Sequence, residues 1–150
     1  MCQGLIPDDE IELLKRCSLS GEYALGISQP TLKKWYAFEV ALRNELVKIR
    51  AGRKRIEPAK YLRQDGFVEP AVSHLAMNAI RNPSILEAER MLDLERWYVL
   101  EELAVGHYFD LDFLIIYAYK LLILERWGKI ASADKLKAIG EVLQKDTAHQ

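Results

Sequence analysis

The chain lacks almost everything that would let chemistry alone name its function. It has two cysteines, Cys2 and Cys17, in 150 residues. Their number and spacing suit neither a zinc quartet nor a disulfide framework, so free thiols in a reducing compartment are expected. Its histidines are His74, His107 and His149. A helical di-iron site needs a Glu-x-x-His step on each of two helices, yet Ala71 and Ala104 stand three residues before His74 and His107. There is no glycine loop with a following lysine to cradle a phosphate. No metal and no cofactor are therefore expected. No run approaches the ~20 apolar residues that cross a bilayer. Met1 to Gly4 leads into Asp8, Asp9 and Glu10 rather than a basic, then apolar, leader, and a cytoplasmic location is the expectation. Neither sign of charge dominates: the formal net charge is -1, which gives no global pull toward nucleic acid or anionic lipid. Strand-period alternation persists nowhere.

Helical periodicity is what the sequence does have. Half of the residues are hydrophobic and 29% are charged, a globular composition, and a chain of this length buries roughly two thirds of its unfolded surface. Pro7 to Cys17 reads as a short helix with Ile11, Leu13 and Leu14 inward. Ser18 to Gly26 reads as a loop tacked down by Tyr23 and Leu25. Ser28 is the expected N-cap of a long helix running toward Arg50, with Pro30 in its first turn. Its stripe is Leu32, Trp35, Phe38, Leu42, Leu46 and Ile49, at steps of three and four, and Gly52 is the expected stop. A connector from Pro58 to Gly66 leads to a modest helix over Glu69 to Asn82, broken by Asn82-Pro83. Ser84 and Glu87 form a capping-box pattern opening a helix that reaches toward Val105, with Gly106 as its end. Ile85, Ala88, Leu92, Val99 and Leu103 form its apolar side, widened by Met91, Leu94 and Tyr98.

The strongest single feature is Leu111 to Leu124, which is apolar on nearly every side apart from Asp112 and Lys120. A helix apolar all round belongs inside a protein. With Asp110 as its cap, it is expected to be sheathed by the others. A last polar helix carrying Leu136, Ile139 and Leu143 should start at Ser132 or Asp134. The fold expected is all-α: one bundle-like domain over 1–150, of about five to seven helices joined by short loops around a buried central helix.

Polar residues embedded in these apolar patterns need partners, because an unpaired buried charge is costly. Arg43, Arg96, Glu125 and Arg126 are the candidates for structural ion pairs, with Glu125 expected to bridge to Arg43 or Arg96 and fix helix register. Asn44 is embedded in the same way. The basic run Lys48, Arg50, Arg53, Lys54 and Arg55 suits a helix C-terminus and an acidic neighbour. It lacks interleaved aromatics, so nucleic acid is not the expected partner. Trp97 and Tyr98 are candidate interaction residues. Glu101, Glu102 and His107 are close in sequence, but without a nucleophile or a defined pocket they do not make an acid–base pair. No catalytic residue is expected.

Two segments, KWYAFEVALRNEL from Lys34 to Leu46 and AERMLDLERWYVLEELAVGHYFDLDFLIIYAYKLLILERW from Ala88 to Trp127, together resemble an uncharacterised bacterial family encoded beside V/A-type ATPase genes. The resemblance rests on Trp35, Tyr36, Asn44, Asp93, Trp97, Glu101, Tyr108, Phe109, Lys120 and the closing Glu125-Arg126-Trp127. That family looks related to the C (d-type) subunit of rotary ATPases, a helical adaptor between rotor ring and central stalk. The resemblance implies a non-catalytic helical subunit or accessory protein of the ATPase. Its implied partners are central-stalk or rotor-ring subunits, with no membrane insertion of its own and a location peripheral to the membrane through the complex. The family usually opens with an aromatic, strand-like segment where this chain has Cys-Gln-Gly, so a short member, or a fragment lacking that region, is expected. The competing expectation is a free-standing helical interaction domain, a homodimer through Trp97 and Tyr98 in one version, with no link to the ATPase.

Overall fold

Proline and capping residues place the helix starts. The computed structural model of the chain describes residues 6–19, 28–63 and 70–147, and the side chains of all of these except 136 and 138–147. The Tyr23 and Leu25 contacts, Cys2, His149 and the side chains of Leu136, Ile139 and Leu143 lie outside what is described. Helix α1 covers Asp8–Lys15, α2 Pro30–Lys54, α3 Pro70–Arg81, α4 Ile85–Leu103 and α5 Leu111–Thr147, with a short 3-10 helix at Pro58–Tyr61. Among the described residues there are five α-helices and no strand, and the chain is an all-α domain.

Local chemistry accounts for the boundaries. Pro30 begins α2, and the Gln29 side chain accepts the Leu32 N–H at 2.7 Å. The cap is therefore Gln29 rather than the expected Ser28. Its longer side chain also reaches Asp112 on α5, donating at 2.6 Å. Ser84 Oγ accepts the Glu87 N–H at 3.2 Å, and Asp110 Oδ1 accepts the Phe113 N–H at 2.9 Å, which fixes the starts of α4 and α5 as their side chains predict. Gly106 carries φ 87 in the turn between them. Gly52 does not stop α2, which runs to Lys54. Arg55 takes the left-handed capping conformation instead, at φ 54 and ψ 41.

The core has two parts along α2. Leu32 and Trp35 in its first half meet Leu100 of α4 and Ile115, Ile116, Tyr119 and Ile123 of α5, with Leu13 and Leu14 of α1 packed against them. The Trp35 and Tyr119 rings stand 4.9 Å apart, tilted. Leu42 in the second half meets Ala76 and Ala79 of α3 and Leu92 of α4. The alanines let α3 approach α2 closely. Asn44, 1% exposed, closes the chain back on α2: its amide donates to the Arg63 carbonyl and accepts the Arg63 N–H, both at 3.0 Å. The buried amide is thus satisfied by a backbone that would otherwise be loose.

Two expectations for α5 are corrected. The helix at Ser132 or Asp134 is not separate, because α5 continues through both. Ser132 Oγ donates back to the Gly128 carbonyl at 2.8 Å, a hydroxyl serving its own helix rather than starting another. A lone helical glycine costs only about 1 kcal/mol, so Gly128 does not break it. Nor is Leu111 to Leu124 sheathed on all sides. Ile115, Ile116, Tyr119 and Ile123 are buried, but Tyr117, Leu121 and Leu124 are 46–55% exposed. The helices covering α5 among the described residues, α1, α2 and α4, leave its outer face bare. The outer positions of α4 follow suit. Ile85 is 82% exposed, and Leu94 and Tyr98 are about half exposed.

Candidate functional site

Helices α4 and α5 run antiparallel, with a buried carboxylate at the centre of their contact. Asp93, 3% exposed, accepts Nη1 of Arg96 one turn along α4 at 2.9 Å. Across the helix pair it accepts Arg126 Nη1 at 2.9 and 3.0 Å and the Trp127 indole N–H at 2.9 Å. Arg96 reaches back to α2, gripping Glu39 through Nε at 2.7 Å and Nη2 at 3.2 Å. Two arginines and two carboxylates thus link α2, α4 and α5 in one charge-balanced chain, with Glu89 at 3.8 Å from Arg126 on its outer side. Burial works against the charged Arg96 guanidinium. The Glu39 charge and its paired hydrogen bonds, with Asp93, outweigh that and hold the Arg96 pKa above its ordinary value.

This geometry gives the Arg126-Trp127 pair of α5 its role: both side chains donate to Asp93. It also corrects the expected pairing. Arg96 and Arg126 are structural ion-pair residues, but their acids are Glu39 and Asp93. Glu125 points outward, 57% exposed, and pairs with Lys129 one turn on at 2.7 Å. Arg43 donates to the Tyr61 carbonyl at 3.0 Å, holding the 3-10 helix. One residue of helical rotation separates Glu125 from Arg126, enough to turn the first to water and the second inward. A signal for this site was present. The tetrapeptide Leu-Glu-Arg-Trp occurs at both 94–97 and 124–127, and in each copy the glutamate stays out of the network while the arginine joins it.

Over the network lies an apolar groove of about 470 Å³, walled by Leu86, Leu94 and Trp97 of α4 and Ile123, Leu124 and Trp127 of α5. Cations cover its aromatic walls. The Arg90 guanidinium lies 5.1 Å from the Trp127 ring centre, and Lys120 Nζ lies 5.1 Å from that of Trp97. Lys120 also pairs with Glu101 at 2.5 Å, which holds the Glu101 carboxyl below its usual range. Trp97 is half-buried beside the core, whereas Tyr98 points to solvent. The exposed Phe113, Tyr117, Leu121 and Leu124 extend an apolar stripe along α5.

Glu101, Glu102 and His107 are not brought together. Glu101 is taken by Lys120, Glu102 is exposed, and His107 Nδ1 lies 2.6 Å from Asp110 Oδ2 and 3.9 Å from Asp112 Oδ2. The hydrogen bond to Asp110 raises the His107 pKa, and the same bond lowers that of Asp110. Ligand-type atoms of His107, Asp110 and Asp112 lie within 4.8 Å of one another, a grouping that a search for Glu-x-x-His could not reveal. Its groups have other duties, however. Asp110 caps α5 and Asp112 accepts Gln29 and the Thr31 hydroxyl. The positive end of the α5 dipole also favours anions there, not cations.

The basic run divides. Lys48 pairs with Glu45 at 2.8 Å, and Arg53 donates to the Ile80 carbonyl of α3 at 3.2 Å. Arg50, Lys54 and Arg55 stand in solvent.

Comparison with known proteins adds one relation. The sequence model of a family described as Protein of unknown function (DUF2764) matches residues 70–146, just over half of the chain, covering α3, α4 and nearly all of α5. No curated protein and no solved structure matches the chain.

Proposed function

The chain belongs to the family described as Protein of unknown function (DUF2764), and from that premise we propose that it is a non-catalytic helical docking component of a bacterial V/A-type ATPase. The ATPase setting rests on the resemblance carried by Lys34 to Leu46 and Ala88 to Trp127. The docking role rests on one observation, the apolar face of α4 and α5. Leu94, Tyr98, Tyr117, Leu121 and Leu124 are about half exposed on helices held rigid from behind by the Asp93 network. Isolated exposed leucines need no explanation, but a contiguous apolar stripe with a groove marks an interaction surface. A helical face of this kind accepts another helix, with side chains at steps of three and four as anchors, and the stalk of a rotary ATPase presents helices. Charges on the rim, Glu87, Arg90, Glu95 and Lys129, would set orientation.

The test is affinity purification of the chain from its native host at low and at high salt. ATPase stalk or ring subunits should co-purify at low salt and fall away at high salt, and Leu94→Ser with Leu121→Ser should abolish recovery while leaving the helical content intact. A preparation that recovers no ATPase subunit, or one that the double substitution does not affect, would count against the reading. Sedimentation separates it from the competing homodimer: a concentration-dependent dimer lost in the same variant would favour self-association through this face.

A further inference from the structure

Helix α5 outruns the helices packed against it. The described helices that touch it are α1, α2 and α4. Helix α1 and the first half of α2 meet it near its start. Leu86 of α4 and Asp134 of α5 wall the same groove, so α4 begins level with Asp134. From there α5 goes on as helix to Thr147, roughly 20 Å further. A helix of that length standing alone in water is marginal, so the projection calls for a neighbour.

The bare side of α5 carries one stripe along its length. Tyr117, Leu121 and Leu124 are about half exposed, and Gly128 and Ser132 follow them, both exposed. The sequence then places Leu136, Ile139 and Leu143 at further steps of three and four. The mean step is about 3.7, near the 3.6 residues of a helical turn, which keeps these positions on one side. The steps form a palindrome. From Tyr117 they run four, three, four, four, four, three and four, and they read the same back from Leu143. Positions 117 and 143, 121 and 139, 124 and 136, and 128 and 132 are all centred on 130, close to the middle of α5. A stripe of this kind complements itself when turned end for end, as a two-fold interface requires.

Gly128 supplies an independent observation. A β-carbon there would meet nothing within 4 Å, and glycine inside a helix is destabilising. Its own copy therefore gives no reason for a glycine, whereas the close approach of another backbone does.

We propose that a second copy of this chain lies antiparallel along α5, about a two-fold axis at position 130. The far half of each α5 then covers the bare near half of the other. Leu124 meets Leu136 of the second copy, Leu121 meets its Ile139, and Tyr117 its Leu143. Gly128 and Ser132 sit where the helices come closest. The two bodies lie on opposite sides of the helix pair and do not meet. The charged positions flanking the seam, Glu125, Lys129, Lys135 and Asp146, cancel within each copy, and Glu125 already holds Lys129 at 2.7 Å. From Tyr117 to Leu143 the seam runs roughly 39 Å, and a helix is roughly 10–12 Å wide. That projects to about 400 Å² per copy, and interlocked side chains bury more than the projection, so the contact falls at the small end of specific interfaces. A reversible dimer forming at roughly micromolar concentration is expected. The proposal rests on the bare face of α5 and not on the ATPase link. It leaves Leu94 and Tyr98 of α4 open, and so differs from the competing homodimer through Trp97 and Tyr98.

Sedimentation of the full chain over a range of concentrations should show monomer and dimer in exchange. Ile139→Asp, beyond the body of the domain, should weaken association at least about 100-fold, because each pair would bury two unpaired carboxylates. Gly128→Leu should weaken it at least about tenfold while raising the thermal midpoint of the dilute monomer, so that this loss is not one of folding. Leu94→Ser should leave the dimer intact. Copies carrying Leu121→Cys and copies carrying Ile139→Cys, mixed and treated with a short thiol cross-linker, should link to each other beyond the level of the unsubstituted chain. Two Leu121→Cys copies should not, since those positions lie roughly 27 Å apart in the pair. The proposal is overturned by a chain still monomeric at about 100 μM, by a dimer that Ile139→Asp and Gly128→Leu leave unchanged, or by one lost in Leu94→Ser. Linkage of Leu121→Cys copies to themselves would overturn it too. Ile139→Asp leaves the α4–α5 face as it is, so ATPase recovery with that variant tests the docking reading apart from the dimer.

Discussion

Removal of the Asp93 carboxylate is the most demanding test of how α2, α4 and α5 are held together. The side chain is 3% exposed and accepts from Arg96, Arg126 and Trp127. Breaking a buried pair by deleting one partner costs about 3–5 kcal/mol, because the other charge is left without compensation. Here Arg96 keeps Glu39, and Arg126 is one third exposed with Glu89 at 3.8 Å. The lower end, about 3 kcal/mol, is therefore expected for Asp93→Ala. Asp93→Asn keeps the volume and one acceptor and should cost less, about 2 kcal/mol. Urea unfolding followed by far-UV circular dichroism reads both, as a lower midpoint at unchanged slope. A double-mutant cycle with Arg126→Met should return a coupling of about 1–3 kcal/mol, since the second change removes the charge that the first leaves stranded. Glu125→Ala, on the exposed neighbour, should move stability by no more than about 0.5 kcal/mol. The reasoning fails if Asp93→Ala costs under about 1 kcal/mol, if the cycle is additive, or if Glu125→Ala is the more damaging change.

Two other expectations are simpler to check. On α5, Ile116→Ala should cost about 2–5 kcal/mol because Ile116 is 2% exposed. Leu124→Ala, at 55% exposure, should cost under about 1 kcal/mol, and equal costs would mean that the outer face is covered in the isolated chain. The His107 pKa is raised by Asp110 above 6.5, so its contribution to stability is complete below that pH and disappears as pH rises through the raised value. The Asp110 pKa is lowered below 3.8, so its share is present above that pH and is lost as pH falls through the lowered value. An NMR titration should place the His107 midpoint above 6.5 and show it dropping in Asp110→Asn; a midpoint unmoved by that substitution would refute the contact.

Legibility varied from element to element for physical reasons. Caps and stripes are local. Ser84, Asp110 and the inward residues of α2 act on groups within one or two turns, and their positions carry that information. The cap of α2 is not legible locally, because glutamine is a rare cap and Gln29 is also held by Asp112, 83 residues away. The break expected before Ser132 failed because a serine inside a helix can bond its own carbonyls.

The sequence by itself determined that this chain is helical, where most of its helices begin and end, and that some of the charged residues set in apolar patterns, Arg43, Arg96, Glu125 and Arg126, must find partners. Those conclusions need only short-range geometry and the cost of burying charge. Which of them pair inside, and with which acids, was decided by the tertiary structure, because Glu39 and Asp93 lie 57 and 33 residues away from Arg96 and Arg126. So was the side of α5 that stays bare. Its apolar residues surround the helix, hydrophobicity has no direction, and only the placement of α1, α2 and α4 settles which of them are covered.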